Sequence, residues 1–109
     1  MELIRGTLDL LILRTLSWGP MHGYAISRWI RERSGDVLEL TQGALYPALR
    51  RLEAGGHLAS AWEVSDTGRD TKVYSLTPGG RAHLRRLQSE WSRYVDLMER
   101  VPLAPEGVR

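Results

Sequence analysis

The chain has 109 residues, 42% of them hydrophobic, and a formal net charge of +2 with a pI near 9.4. These values predict one globular domain and permit, without requiring, a nucleic-acid partner. Because there is no cysteine, disulfide bonds and thiolate metal sites are excluded. The apolar run 8–16 is interrupted by Asp9 and Arg14 and is too short to span a membrane, so we expect a cytoplasmic protein that does not enter the membrane.

Two helices are predicted in the first third of the chain. Apolar residues at helical spacing predict a first helix over 3–16, and Gly19-Pro20 ends it. This helix is apolar nearly all round, so it should be buried on more than one face, and a partner subunit is one way to bury the second face. A second helix is predicted from about residue 21 to 33. Its inward stripe consists of Ala25, Ile26, Trp29 and Ile30.

A third helix, short and amphipathic, is predicted over 41–54. Thr41 is a candidate N-cap and Gly55-Gly56 ends the helix. The residues expected to face the core are Leu45, Leu49 and Leu52. Pro47 lacks a backbone N–H, so it should bend the first turns.

The next segment is predicted to form a β-hairpin. Alternation along 58–64 puts Leu58, Ser60, Trp62 and Val64 on one face, and along 72–76 it puts Tyr74 and Leu76 opposite Val73. The polar stretch 65–71 joins the two strands, with Gly68 available for the turn. Two strands alone are marginally stable, so the hairpin should lean on the helices.

The last helix is predicted to start at Thr77-Pro78 and to run to about Val101. Its apolar residues recur at alternating spacings of three and four: Leu84, Leu87, Trp91, Tyr94, Met98 and Val101. This pattern is a heptad seam. Because no globular element of matching length remains in the chain, we expect the seam to pack on a second copy. The tail, 102–109, is expected to be flexible.

The element order predicts a mainly α fold with a small β-hairpin, namely a winged helix-turn-helix with a three-helix core, a two-stranded wing and a long C-terminal helix. We divide the chain into a DNA-binding domain over 1–76, whose first helix also contributes to the dimer interface, a dimerisation helix over 77–101 and the tail.

In this fold the third helix would enter the DNA major groove. Its outward residues include Gln42 and Arg50, which can pair bidentately with adenine and guanine, and Gly43 and Tyr46, with Arg51 toward the flank. The wing supplies Arg69 and Lys72 for phosphates or a minor groove. The alternative is that these residues form an ordinary solvated helix face and a hairpin tip without a ligand.

No pattern in the chain favours catalysis or metal binding. The three histidines lack metal-ligand spacing, and there is neither a nucleophile elbow nor a glycine-rich phosphate loop. Trp91 either fills the dimer seam or stacks on a planar ligand between subunits, where Glu90, Asp96 and Glu99 would suit a cation.

Five segments together resemble the PadR family of bacterial transcription regulators: GTLDLLILRTL (6–16), GPMHGYAISRWI (19–30), QGALYPALRRLEAGGHL (42–58), KVYSLTPGGRAHL (72–84) and EWSRYVDLM (90–98). The chain is similar to the short branch, which has a single C-terminal helix. The resemblance implies a homodimeric repressor that binds a pseudo-palindromic operator in double-stranded DNA and needs no cofactor. It also implies that a small planar hydrophobic effector can bind at the dimer interface.

The resemblance assigns residues to three sets. The DNA-binding set is Thr41, Gln42, Gly43, Tyr46, Pro47, Arg50, Arg69, Lys72 and Tyr24, the last of which is equally suited to the core. The dimer set is Leu8, Leu11, Leu84, Leu87, Trp91, Tyr94 and Met98. The effector set is Trp91 and Leu87. Because Asp66 and Asp70 flank Arg69, the wing is less basic than the family's strongly basic wings, and a protein-interaction module without specific DNA binding stays open as the rival function.

Overall fold

The computed structural model describes residues 6–107, and in these residues four helices surround a small antiparallel sheet. The elements in chain order are α1 (Thr7–Leu16), β1 (Met21–His22), α2 (Gly23–Arg33), α3 (Gln42–Ala54), β2 (Leu58–Val64), β3 (Asp70–Leu76) and α4 (Pro78–Arg100). The predicted class, mainly α with a β-hairpin, is confirmed. Residues 3–5 of the predicted first helix lie outside the described residues, as do 108 and 109.

The core forms around α1, which contacts α2, α3, β3 and α4. Its buried side chains include Ile12, Leu13 and Leu16, and they pack against Ile26 of α2 and Leu49 of α3. The chain itself therefore covers much of the apolar surface of α1. A helix that is apolar nearly all round is buried here as the central helix of a small domain.

The start of α2 differs from the prediction. Met21 and His22, predicted as the first turn of the helix, instead form β1 and pair with Tyr74 and Val73 of β3. Helix α2 begins at Gly23, and the His22 ring accepts a hydrogen bond from the backbone N–H of Ala25 at 3.2 Å. The sheet thus has three strands in the order β1-β3-β2, not the two predicted. A two-residue strand has no periodicity by which a sequence could reveal it.

The hairpin of β2 and β3 forms the wing. Strand β3 begins at Asp70, two residues earlier than predicted, and pairs with Val64 at the end of β2. Gly68 takes φ 78° in the turn. One face of the hairpin carries the cross-strand pairs Leu58–Leu76, Ser60–Tyr74, Trp62–Lys72 and Val64–Asp70. Leu58 and Tyr74 on this face are buried against the helices, which fixes the register.

The predicted caps of the last two helices are confirmed. The Thr41 hydroxyl accepts a hydrogen bond from the N–H of Ala44 at 3.2 Å, and the Thr77 hydroxyl accepts one from Gly80 at 2.9 Å. Pro78 occupies the first turn of α4, where its missing N–H costs nothing. Each cap satisfies a backbone donor that the helix leaves free and so fixes where the helix begins.

Helix α4 gives the molecule its length. Its 23 residues span about 34 Å, and the described chain measures 62 × 29 × 21 Å. Leu84 and Leu87 near its start pack against the core, whereas every residue of α4 from Ser89 onward is exposed. From residue 102 to 107 the chain forms neither helix nor strand. Within 6–107, no helix combines the length and the apolarity needed to cross a membrane.

Candidate nucleic-acid interface

Helix α3 presents one polar face to solvent. Leu45, Leu49 and Leu52 are buried, and they anchor the opposite face in the core. The six residues predicted to meet DNA from this helix and its cap are all exposed: Thr41, Gln42, Gly43, Tyr46, Pro47 and Arg50. The helix is continuous through Pro47. The core thus fixes the direction in which this face points.

A close approach between α2 and α3 positions Tyr46. A Cβ atom built on Gly23 would lie 2.7 Å from the Tyr46 hydroxyl and 3.0 Å from its ring, so only glycine lets the ring lie on the first turn of α2. Tyr24, the next residue, is 55% exposed, and its ring stacks on His22 with centroids 6.3 Å apart. The sequence left two locations open for Tyr24, the surface and the core. Tyr24 lies on the surface, beside Tyr46.

Lys72 of the wing is held by an acidic side chain of α3. Its Nζ lies 3.4 Å from a carboxylate oxygen of Glu53, and Glu53 also accepts a 2.5 Å hydrogen bond from the Ser60 hydroxyl. That hydrogen bond is the main cause that lowers the pKa of Glu53 below its ordinary 4.5; partial burial opposes it and Lys72 adds to it. The cluster fastens the base of the wing to α3 and offsets the charge of Lys72.

The outer half of the wing is exposed. Arg69 lies at the turn, where its backbone N–H and carbonyl both bond to Ser65, and its side chain faces solvent between Asp66 and Asp70. Trp62 and Val64 on β2 are 70% and 72% exposed. Sequence reasoning placed both on the alternating face of the strand without assigning them a role, because it could not show that the wing extends beyond the helices.

These elements enclose a surface groove of about 790 Å³ between the wing and the first turns of α2 and α3. It gathers four of the predicted residues, Tyr24, Tyr46, Arg69 and Lys72, and adds Trp62. Arg51, predicted toward the flank of α3, instead forms an ion pair with Asp9 of α1 at 2.5 Å. The free cationic edge of α3 is therefore reduced to Arg50.

The residues predicted for the dimer and the effector lie along α1 and α4. Leu8, Leu11, Leu84 and Leu87 are half-buried and pack against the chain's own core. Tyr94 and Met98 are 48% and 52% exposed. Trp91, 38% exposed, stacks on Tyr94 with centroids 6.4 Å apart. A cavity of about 300 Å³ between the start of α1 and the middle of α4 is lined by Gly6, Thr7, Leu10, Leu87, Glu90, Trp91 and Tyr94.

A histidine pair joins the end of α3 to α4, and sequence reasoning missed it. The rings of His57 and His83 stack with centroids 4.0 Å apart. Burial is the main cause that lowers the pKa of His83, and His57 and Arg86 lower it further. The two residues are distant in sequence, so only the fold reveals the contact. Among residues 6–107 there is no cluster of three metal-ligating side chains.

Comparisons with known proteins agree with this architecture. Residues 12–86 match the model of the transcriptional regulator PadR-like family. A transcriptional regulator of Mycobacterium tuberculosis is 40% identical over 98 residues, which cover 86% of this chain and 87% of the relative. The negative transcriptional regulator PadR of Bacillus subtilis is 29% identical over 73 residues, 67% of this chain and 40% of the relative.

Solved structures show the same fold. A transcriptional regulator from Clostridium thermocellum superposes with a TM-score of 0.82 at 30% identity and covers 89% of this chain and 94% of its own. A PadR family regulator from Clostridium difficile superposes with a TM-score of 0.78 at 31% identity, covering 88% and 98%. The family model and the Mycobacterium tuberculosis relative are both described as transcriptional regulators. The chain belongs to the PadR-like family of transcriptional regulators.

Proposed function

We propose that two copies of this chain form a repressor that binds a pseudo-palindromic operator, with one α3 in each of two successive major grooves. The observation that carries the proposal is the exposed polar face of α3, held outward by its buried leucines and flanked by the groove of the wing. In this arrangement residues 1–76 bind DNA, 77–101 dimerise and 102–109 form a tail. A protein that acts on the operator works in the cytoplasm with the DNA.

The exposed side chains of α3 match the edges of bases. Arg50 suits the O6 and N7 atoms of guanine, and Gln42 suits adenine. Gly43 in the first turn lets the backbone come close to the DNA, and the free N–H groups at the start of the helix suit a phosphate. We assign Thr41, Tyr46 and Pro47 to the same contact, and Tyr24, Arg69 and Lys72 to the backbone on either side.

The exposed stripe of α4 supports a dimer. A single-chain protein would leave Tyr94, Met98 and Val101 partly in water on one side of a helix, and burying their remaining apolar surface in a dimer would be favourable. Leu8, Leu11, Leu84 and Leu87 continue this surface from the core, and Trp91 lies between the two parts. To enter two successive major grooves, the recognition helices of a two-fold dimer would have to lie about 34 Å apart, which is one turn of DNA.

The direction of regulation rests on a relative. The Bacillus subtilis protein is a negative regulator by name, and we propose repression for this chain as well. The cavity beside Trp91 and Leu87 suits a small planar apolar effector, and Glu90 on its lining suits a positive charge. Such a ligand would release DNA by binding more tightly to a dimer whose helices no longer match the grooves.

One observation favours a second candidate, a protein-interaction module. Glu53 offsets Lys72, and Asp66 and Asp70 flank Arg69, so the wing carries little net positive charge for phosphates. Winged helices of this kind can bind proteins instead of DNA.

A titration distinguishes the two functions. The purified protein is mixed with its own upstream promoter DNA and with scrambled DNA of equal length at two salt concentrations. A repressor binds the promoter selectively with two chains per site, and its log affinity falls with log salt by about 0.9 for each phosphate contact. Equal, weak binding to both DNAs contradicts the proposal and favours the interaction module.

The effector part has its own test. A planar apolar cationic dye should quench tryptophan fluorescence and weaken operator binding, and Trp91→Ala should abolish the quenching by the dye. Trp18→Ala serves as the control, because Trp18 lies at the far end of α1 beside Trp29. Quenching that persists in the Trp91 variant would contradict this site.

A further inference from the structure

The wing carries an exposed apolar edge, formed by Trp62 and Val64, that does not pack in the core. Trp62 and Val64 are 70% and 72% exposed, and within residues 6–107 the Trp62 indole has neither a stacking partner nor a hydrogen bond. Large apolar side chains gain free energy when they leave water, and the fold leaves both of these without that gain. Trp62 and Val64 lie two positions apart on one strand face, so they form one continuous apolar surface and not two isolated exposed side chains.

The register of the hairpin shows which way this edge points. Trp62 is paired with Lys72 and Val64 with Asp70, on the same face of the sheet as the half-buried Ser60 and the buried Tyr74. The edge therefore points to the side of the sheet on which the helices lie. There it lines the same groove as Tyr46 and Arg69.

The charges beside this edge are nearly balanced. Lys72 is paired with Glu53, and the opposite end of the edge carries Asp70 next to Arg69. A wing that held DNA only through phosphates would need free cations here. What it offers instead is an indole ring and a branched side chain, which suit the sugar walls and base edges of a minor groove.

We propose that Trp62 and Val64 are a nonpolar DNA contact, which packs in the minor groove beside the major groove that α3 occupies. This inference rests on the proposed operator binding and adds to it a residue that sets affinity without neutralising phosphate. Its distinguishing property is salt independence, because no counterion is released when an indole packs on sugar. The edge thus contributes equally to the affinity at low and at high salt.

The test compares Trp62→Ala with Trp18→Ala in operator titrations at four salt concentrations. Trp18 is as exposed, at 76%, but lies outside the groove. Trp62→Ala should weaken binding roughly tenfold at every salt concentration with an unchanged slope, tenfold being about 1.4 kcal/mol. Val64→Ala should weaken it less, in the same way, and Trp18→Ala should match the original protein. Because all three side chains are exposed, thermal unfolding should be unchanged.

Two outcomes overturn the inference while operator binding stands: unchanged affinity in Trp62→Ala, or a slope that falls by about 0.9, which would mean a lost phosphate contact. If the original protein shows no selective binding at all, the proposed function fails and the inference with it. Unchanged affinity in Trp62→Ala would leave a protein contact as the alternative role of this edge.

Discussion

Gly80 lets the start of α4 lie against the turn that follows α3. A Cβ atom at this position would lie 2.0 Å from the carbonyl oxygen of His57, a backbone atom that cannot turn aside. The neighbouring Gly79 is looser, since a Cβ atom there would lie 3.4 Å from the Gly56 carbonyl oxygen. A side chain is therefore sterically excluded at position 80 and tolerated at position 79. The two adjacent glycines thus form a matched pair for a substitution test.

We expect Gly80→Ala to destabilise the fold by roughly 2–3 kcal/mol, because α4 must move away from His57. Gly79→Ala should be neutral or stabilising by about 0.5 kcal/mol, since alanine restricts the unfolded chain. Urea unfolding followed by circular dichroism measures both. Equal stability in the two variants would show that α4 is not held at this point.

The Ser60–Glu53 hydrogen bond predicts a dependence on pH. Because the pKa of folded Glu53 lies below its ordinary 4.5, the unfolded chain binds this proton more readily. The stabilisation is complete above about pH 5 and is lost as pH falls through the folded pKa. Ser60→Ala removes its largest cause, so the two proteins should differ in unfolding free energy at pH 7 and converge as the pH falls through the folded pKa of Glu53. A difference that grows toward low pH would contradict this sign.

The contacts of some residues could be predicted from the sequence, and those of others could not. Thr41 and Thr77 were identifiable as caps because a cap acts on its own neighbours. The partners of Arg51 and Lys72 were not, because Asp9 and Glu53 come close only after three elements have packed. Nothing in the sequence shows that these two charges have partners, whereas the fold pairs each one with an acidic side chain.

At the scale of elements, long periodic segments were predicted well. Helices α3 and α4 and the hairpin lie where the pattern of leucines and the Gly-Gly and Thr-Pro signals put them. Strand β1 was missed because Met21–His22 depends on pairing with β3, a contact that spans fifty residues of sequence. The groove was missed for a related reason, since it exists only between three elements.

The exposed position of Arg50 on α3 leads to a prediction about operator affinity. Arg50→Ala should weaken operator binding by about 1–3 kcal/mol and relax the preference at one base pair, if the guanidinium reads a base edge. Arg85→Ala on α4, an exposed arginine outside the wing and α3, is the control. Both are measured by titration against the operator and its single-base variants. An Arg50 variant with the original preference at every base would remove this residue from the interface.

At the scale of the whole molecule, the exposed second half of α4, from Ser89 to Arg100, is explained by the proposed dimer interface. Leu87 already packs in the chain's own core, so a charge there would damage the monomer and test nothing about the dimer. Met98 is 52% exposed, and a charge there leaves the monomer intact. Met98→Asp should therefore split the dimer by placing an unpaired carboxylate in the seam. Arg93→Asp, which lies off the seam and changes the charge by two units instead of one, is the stricter control for added negative charge. Sedimentation of a folded Met98→Asp dimer would move the interface elsewhere.

The central claim, that two copies of α3 occupy successive major grooves as a fixed pair, can be tested on the DNA. Operator affinity is compared with that for the same sequence carrying five extra base pairs between its half-sites. Five base pairs rotate one half-site to the opposite side of the helix, so a two-fold dimer with a fixed spacing can engage only one of them. A fixed two-fold dimer should therefore lose at least about a hundredfold in affinity and bind close to the non-specific level. Undiminished affinity would show that the half-sites are bound independently and would contradict the dimeric repressor.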